Sequence, residues 1–524
     1  MASVASLPLP RGRISDALVP WARESPDRPA LIDGSRVWSY GALEDAVRRT
    51  SAWLTGKGIR PGDRVMIVNE NSPAAIVLLL AAARLGAWVV PVGARLADRE
   101  IDQIRALSGA RRVIYTTAAS PLAAAHARRH EAAAETLPAD TGPVAIGPLD
   151  RSALPEPEAS DPASEVAALI YTSGTTGRPK GVMLTHQNLL FMAEVTGSIR
   201  GLGPDDRFYG VLPISHIVGL AVVVLGSLFY GASVHLAARF HPAMAARALA
   251  LGRVSIMLGV PSMYALLVEY AEISGLCPLA HPSLRAIGAC GAPLDPAVKR
   301  AAERLFGMPL HNGYGTTECS PTIAQTRLDQ PRTDCSVGRL LPGVEARLVG
   351  PDGAPVAAGE VGELRVRGPN IMRGYYNEPQ ETAAAIDPEG WFNTRDLARI
   401  ENDNLFIVGR TKELIIRFGF NVYPAEIEAV LNRHKLVLHS AVIGVPAGGD
   451  EEIIAFVQPV AGAEPAIADL ARHAAQELAP YKRPTRILLV ASMPMSTAGK
   501  IRKAELEKLV PSPRAVPAGL ESRW

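Results

Sequence analysis

Tyr171-Thr-Ser-Gly-Thr-Thr-Gly-Arg-Pro-Lys-Gly181 is the stretch on which the fold turns. It follows the apolar, strand-like run Val166–Ile170. Small and hydroxylated residues let backbone N–H groups and side-chain hydroxyls converge on phosphate oxygens without Cβ obstruction, and Lys180 adds a point charge. The loop is not a Walker A motif, which requires GxxxxGK[ST]; here Pro179 precedes the lysine and Gly181 follows it. An ordinary Gly/Ser/Thr turn is the plain alternative. So tight a packing of hydroxyls, glycine, proline and lysine argues against it.

Outward from this loop the chain alternates. Upstream, Tyr40–Gly56 and Ala74–Leu85 carry helical patterns, while Arg64–Val68 and Ala87–Val92 are strand-like. Strands alternating with helices of this length predict βαβ units and a mostly parallel sheet. Residues 137–165 are rich in Pro, Ala, Asp and Ser and predict an irregular surface excursion. Downstream, residues 338–374 read as short strands separated by Pro-Asp-Gly and Gly-Glu turns, a β-rich subdomain. After Arg410 the pattern becomes helix Pro424–His434, strands Ala441–Val445 and Ile453–Pro459, helix Ala466–Leu478 and strand Arg486–Val490. The expected fold is therefore α/β: a large N-terminal domain of βαβ-type sheets plus a β-rich subdomain, residues 1–411, then a small mobile α+β C-terminal domain, residues 412–524.

Composition narrows the function classes. The 524 residues are 48% hydrophobic and 20% charged, which excludes a largely disordered chain. Lys+Arg 54 against Asp+Glu 52 leaves a formal charge of +2, no basis for a nucleic-acid binder. Cys277, Cys290, Cys319 and Cys335 form neither a CxxC pair nor a zinc-like spacing, which points to a reducing compartment. The N-terminus lacks the apolar run of a signal peptide. The apolar runs Ala74–Ala83 and Val218–Val234 fall short of, or are interrupted within, the roughly 20 residues a membrane span needs, so both are expected to be buried core helices. The expected location is cytoplasmic. A homodimer stays open.

Further motifs follow the loop in a fixed order: Leu212-Pro-Ile-Ser-His-Ile-Val-Gly219, Gly288-Ala-Cys-Gly-Ala-Pro293, Asn312-Gly-Tyr-Gly-Thr-Thr-Glu318, Thr394-Arg-Asp-Leu397, Gly409-Arg-Thr-Lys-Glu413 and Thr497-Ala-Gly-Lys500. With the loop at 171–181, this set resembles the adenylate-forming superfamily of acyl- and aryl-CoA synthetases, peptide-synthetase adenylation domains and firefly luciferase. The likeness runs from about residue 15 to 510 and is nearest to benzoate- and halobenzoate-type aryl-CoA ligases. It implies an acid–thiol ligase, in which a carboxylate attacks the α-phosphorus of ATP, releasing pyrophosphate, and the acyl adenylate then passes to CoA. Bringing two anions together calls for cations and oriented donors.

The resemblance assigns roles residue by residue. Thr172, Ser173, Gly174, Thr175, Thr176, Gly177 and Lys180 would hold the β- and γ-phosphates, Glu318 would hold Mg²⁺ as a hard oxygen ligand, and Thr317 would lie beside the α-phosphate. Gly291, Ala292 and Tyr314 would line the adenine. Asp396 would accept from both ribose hydroxyls, and Arg410 would donate to the same sugar or phosphate. Lys500 would bridge the substrate carboxylate and α-phosphate, neutralising transition-state charge. Lys412 would be the hinge on which the small domain turns. Gly419 would border the thiol tunnel, and Tyr481 and Arg483 would contact the CoA nucleotide. His216 would gate an acyl pocket walled by Phe191, Ile217, Val218, Leu258, Cys290, Gly313, Cys319 and Ser320. None of those wall residues is charged, which favours an apolar acid, aromatic or medium-chain.

Two positions depart from the pattern: Arg395 stands where the family has glycine or serine, and Phe418 where many relatives have glycine. Three other functions stay open: an adenylation enzyme that loads a carrier-protein thiol, a catalytically silent nucleotide- or acyl-binding protein, and luciferase-like oxygenation.

Overall fold

The computed structural model describes residues 11–172, 178–418, 420–447, 450–495 and 501–510. Helices begin where the local chemistry lets them. Ser39 caps Tyr40–Gly56 by accepting the Ala42 N–H, and Ser72 caps Pro73–Leu85, with Pro73 at the first helical position. Gly86, in left-handed conformation at φ 79°, ends the second of these. Residues Pro73 to Ala83 of that helix are all buried, as expected of a core helix.

Two large sheets carry most of the chain. One has nine strands, in the order Arg339–Leu340, Ala324–Gln325, Leu310–Tyr314, Ala286–Ala289, Ile256–Gly259, Arg207–Gly210, Ser233–Leu236, Pro29–Asp33 and Arg36–Ser39. Its centre is parallel, with Gly288 opposite both Leu258 and His311. The other has eight strands and includes Val166–Thr172, Trp88–Gly93 and Arg64–Asn69 in parallel. The expected parallel βαβ architecture is thus present in both. The β-rich region is a four-stranded antiparallel sheet of Glu345–Val349, Gly362–Arg367, Phe392–Glu401 and Asn404–Arg410. The C-terminal region has its own apolar core, built on strands Val437–Ala447, Asp450–Pro459 and Arg486–Leu489 with helices Pro424–Leu431 and Ile467–Glu477.

The run Val218–Val234 is not the single core helix its composition suggests. Val218–Leu225 is a π-helix, Gly226–Phe229 a short α-helix, and a strand begins at Ser233. Gly219 forces the tight start: a Cβ there would lie 2.2 Å from the Pro213 carbonyl oxygen. No described helix is long and apolar enough to cross a membrane.

Candidate active site

The Gly- and Thr-rich loop expected to hold phosphate falls between two antiparallel strands, Val166–Thr172 and Lys180–Thr185, in which Thr172 pairs with Lys180. Ser173, Gly174, Thr175, Thr176 and Gly177 lie outside the described residues. Lys180 Nζ sits 2.5 Å from Glu381 Oε2 and 5.2 Å from the centre of the Tyr375 ring. The Lys180 hydrogen bond and charge hold the Glu381 carboxyl below its ordinary range, and the charges of Arg395 and Lys412 push the same way. Three cations therefore gather around one carboxylate, in the kind of field an anionic polyphosphate would enter.

Glu318 lies in the 3₁₀ turn Thr317–Cys319, beside Thr317. Its Oε1 accepts from the Tyr375 hydroxyl at 2.9 Å, and its carbonyl accepts the Met372 N–H at 2.8 Å. Tyr375 thus touches both the phosphate lysine and the acid proposed for Mg²⁺. Sequence reading missed it, because its strand Gly374–Tyr375 joins the loop hairpin only through pairing with Val182 and Met183. Among the described residues no three His, Cys, Asp or Glu side chains cluster as a metal site. One carboxylate fits Mg²⁺ that is held mainly by nucleotide phosphates.

Asp396 is 4% exposed and receives two charge-supporting bonds. The Tyr314 hydroxyl donates to Oδ2 at 2.5 Å and Arg410 Nε to Oδ1 at 3.0 Å. Burial, and then the Asp396 charge, push the Tyr314 phenol well above its ordinary value, so it keeps its proton. The neighbouring backbone explains the aim. Arg395 has φ 59°, and strand pairing slips on both sides of Asp396, between Glu363 and Arg365 and between Leu397 and Ala398. Such bulges re-aim a side chain. Glycine, one of the residues the resemblance leads one to expect at 395, would adopt this left-handed backbone without strain, whereas an arginine does so at a cost of about 1–3 kcal/mol. Phe418, at φ 52° and 67% exposed, is the second departure and shares the same backbone class.

A cavity of about 60 Å³ lies beside Tyr314. It runs along the central strands of the nine-stranded sheet. Val218, Leu258, Cys290 and Gly313, assigned above to an acyl pocket, line it together with Gly291 and Tyr314, assigned above to the adenine. Phe191, Ile217 and Cys319 do not; they belong to the main apolar core behind the wall, and Ser320 is fully buried. The wall continues instead through Val222, Ile256 and Pro321. His216 is exposed and lies off the cavity lining. Ala292 is half-buried, next to Gly291. Polar residues that the sequence reading did not assign to the site also line the cavity, among them Arg200, His311, Thr322, Gln325 and Thr326. Burial first, then the charges of Lys299 and Arg200, bring the His311 imidazole down to about 4, so it is neutral at pH 7.

Lys412 is exposed in the turn Thr411–Glu413. Thr411 Oγ1 donates to the Arg395 carbonyl at 3.2 Å, tying that turn to the strand bearing Asp396. Tyr481 stacks on Phe420, ring centres 4.6 Å apart. The Arg483 guanidinium instead bonds the carbonyls of Leu478 and Ala475 at 3.0 and 3.1 Å, capping the C-terminal end of a helix. Lys500 and Gly419 lie outside the described residues.

The model for the AMP-binding enzyme family matches residues 18–376, and that for the AMP-binding enzyme C-terminal domain matches 426–500. A feruloyl-CoA synthase from an Amycolatopsis species is 35% identical over 497 residues, covering 93% of this chain and 97% of the relative. ATP-bound MatB from Rhodopseudomonas palustris superposes with a TM-score of 0.83 at 30% identity, covering 94% of this chain and 98% of that one. A benzoate CoA ligase from Burkholderia xenovorans LB400 superposes at 0.82 and 25% identity, covering 94% and 99%. The ordered motifs, the carboxylates beside a phosphate hairpin and a family match over more than half the chain lead to one assignment: this protein belongs to the AMP-binding enzyme family, the adenylate-forming superfamily.

Proposed function

We propose that this chain joins an acid with an apolar body, aromatic or medium-chain, to CoA through an acyl adenylate. ATP-dependent acid activation and AMP-forming CoA ligation are the activities its family match and its CoA-ligase relatives support. The observation that carries the residue-level reading is the convergence of Arg410 and Tyr314 on buried Asp396, Tyr314 being also a wall of the cavity.

Each described residue then has one task. Lys180 exchanges its Glu381 partner for nucleotide phosphate. Asp396, aimed by its bonds from Tyr314 and Arg410, accepts the ribose hydroxyls, and this fixes the sugar relative to the cavity. Glu318, oriented by Tyr375, would hold Mg²⁺, which neutralises phosphate charge when bound. The cavity seats the acid with its carboxylate toward Tyr314 and excludes water from the reactive mixed anhydride. Lys500 supplies the mobile positive charge for adenylation, on a C-terminal domain that begins at 412 and turns about Lys412. Tyr481 and its Phe420 partner offer the aromatic surface for the CoA adenine. Arg483 is engaged in capping its helix, so it makes the weaker claim on that nucleotide. The four cysteines are free thiols, which suits a reducing, cytoplasmic setting.

The test separates the two half-reactions. Lys500→Ala is expected to abolish acid-dependent pyrophosphate release while still converting a supplied acyl adenylate plus CoA to the thioester. Equal loss of both steps would remove Lys500 from the assigned role.

A further inference from the structure

The acyl cavity contains a cation. Arg200 follows the helix His186–Ile199 as its C-terminal cap and lines the cavity together with Ile256, Ala286, His311 and Gln325. Its place is rigid. Its backbone N–H bonds Thr196 and Gly197, and its carbonyl accepts Arg285 Nη1 at 2.9 Å. That contact with Arg285 puts Arg200 at the start of strand Ala286–Ala289. Gly291 and Tyr314, the latter bonded to Asp396, line the same cavity, and Cys290 lies within electrostatic reach of the guanidinium.

Among the described residues no carboxylate pairs with the Arg200 guanidinium. The side chain donates to the Thr196 carbonyl at 2.9 Å. The nearby acid, Asp206, is committed elsewhere: it accepts from Arg285 at 2.7 and 2.8 Å and from Ser255 at 2.8 Å. Burial brings the Arg200 pKa down to about 10, which still leaves it charged at pH 7. Neutral His311 adds no charge of its own. A second, independent feature marks the same space. Gln325 is 4% exposed, and its Oε1 is buried without a hydrogen-bond partner. An enclosed guanidinium and an unsatisfied amide in one cavity call for a ligand that carries polar atoms.

We propose that Arg200 is a specificity-determining residue, and that the acid this enzyme activates carries a second anionic group besides the reacting carboxylate. This rests on the ligase reading above and names the substrate class within it. The Arg200 fork pairs this second carboxylate or sulfonate through charge-assisted, two-pronged bonds, while Val218, Val222, Ile256 and Leu258 pack the apolar body. A monoacid of the same shape would bury the guanidinium uncompensated and bind less well.

The experiment uses the full chain, ATP and Mg²⁺ with two matched pairs of acids: 4-carboxycinnamate against 4-methylcinnamate, and suberate against nonanoate. The readouts are kcat/KM from pyrophosphate release and calorimetric binding of each acid. The wild type is expected to favour a diacid over its monoacid partner by about ten- to a hundredfold, the scale of a charge-assisted bond. Arg200→Met should erase or invert that preference while still turning over the monoacid, and Arg200→Lys should restore part of it. Preference for both monoacids in the wild type would overturn the proposal. So would an equal fall of diacid and monoacid activity in R200M, which would mark Arg200 as a helix cap alone. Arg200-dependent diacid binding without any pyrophosphate release would support the site and overturn the ligase reading. Turnover of monoacids indifferent to Arg200 would do the reverse.

Discussion

Asp396→Ala is the perturbation whose size follows most directly from the geometry. The carboxylate is held by Tyr314 at 2.5 Å and Arg410 at 3.0 Å, and its assigned work is to accept two ribose hydroxyls. Each such bond to a charged acceptor is worth about 1.5–3 kcal/mol. Losing both removes about 3–6 kcal/mol, and 1.4 kcal/mol is a factor of ten, so kcat/KM for ATP should fall by about 10²–10⁴. Folding suffers less. The Arg410 side chain is 54% exposed and can re-solvate, leaving chiefly the Tyr314 hydroxyl without its acceptor, at about 1–3 kcal/mol. The assay is pyrophosphate release with ATP and with 2′,3′-dideoxy-ATP, on wild type and D396A. The dideoxy nucleotide lacks the groups Asp396 binds, so the two enzymes should differ little on it, while differing by orders of magnitude on ATP. An equal loss on both nucleotides would refute the ribose contact and reduce Asp396 to a structural partner of Tyr314.

Three further outcomes follow from single contacts. Tyr375→Phe removes the hydroxyl that orients Glu318 and should raise the Mg²⁺ concentration for half-maximal rate, with kcat/KM down about tenfold; a magnesium titration reads this. Gly315→Ala places a Cβ 1.8 Å from the Pro321 carbonyl oxygen, so the backbone must move at a cost of at least about 2 kcal/mol, visible in urea unfolding. His186 is buried with its Nδ1 accepting the Ile14 N–H at 3.1 Å, and burial brings its pKa down to about 3. The unfolded chain takes up a proton below about pH 6.5 that the folded protein refuses. Stability should therefore fall as pH drops from 6.5 toward 3, by up to about 1.4 kcal/mol per unit. His186→Gln should flatten that slope in melting curves.

The features legible in the sequence were those set by local pattern. Tyr40–Gly56 is a helix over the range its amphipathic spacing predicts, and the C-terminal alternation of helices and strands appears with ends shifted by a few residues. The site motifs were legible because each is contiguous: Tyr314, Thr317 and Glu318 share one segment, and Asp396 pairs directly with Arg410. Contacts made by distant segments were not legible. Arg200 enters the cavity through a helix end gripped by Arg285, and Tyr375 through two paired residues at a sheet edge. No periodicity announces either. Arg483 reads as a basic nucleotide contact, and nothing in the sequence shows that its guanidinium also holds helix-end carbonyls. The departures at 395 and 418 became intelligible only as backbone dihedrals, since both residues occupy conformations that glycine adopts without strain. The apolar run at 218–234 misled because composition records burial and not the π-helical winding that Gly219 permits.

The most direct test of the central claim is the dependence of AMP formation on CoA, measured with ATP and Mg²⁺ across benzoates, cinnamates, phenylacetates, linear fatty acids and their ω-carboxy counterparts. The predicted result is sustained, acid-specific AMP release with stoichiometric acyl-CoA, and a single enzyme-equivalent of pyrophosphate when CoA is omitted. Pyrophosphate release indifferent to CoA, with thioester appearing only on a carrier-protein thiol, would contradict it.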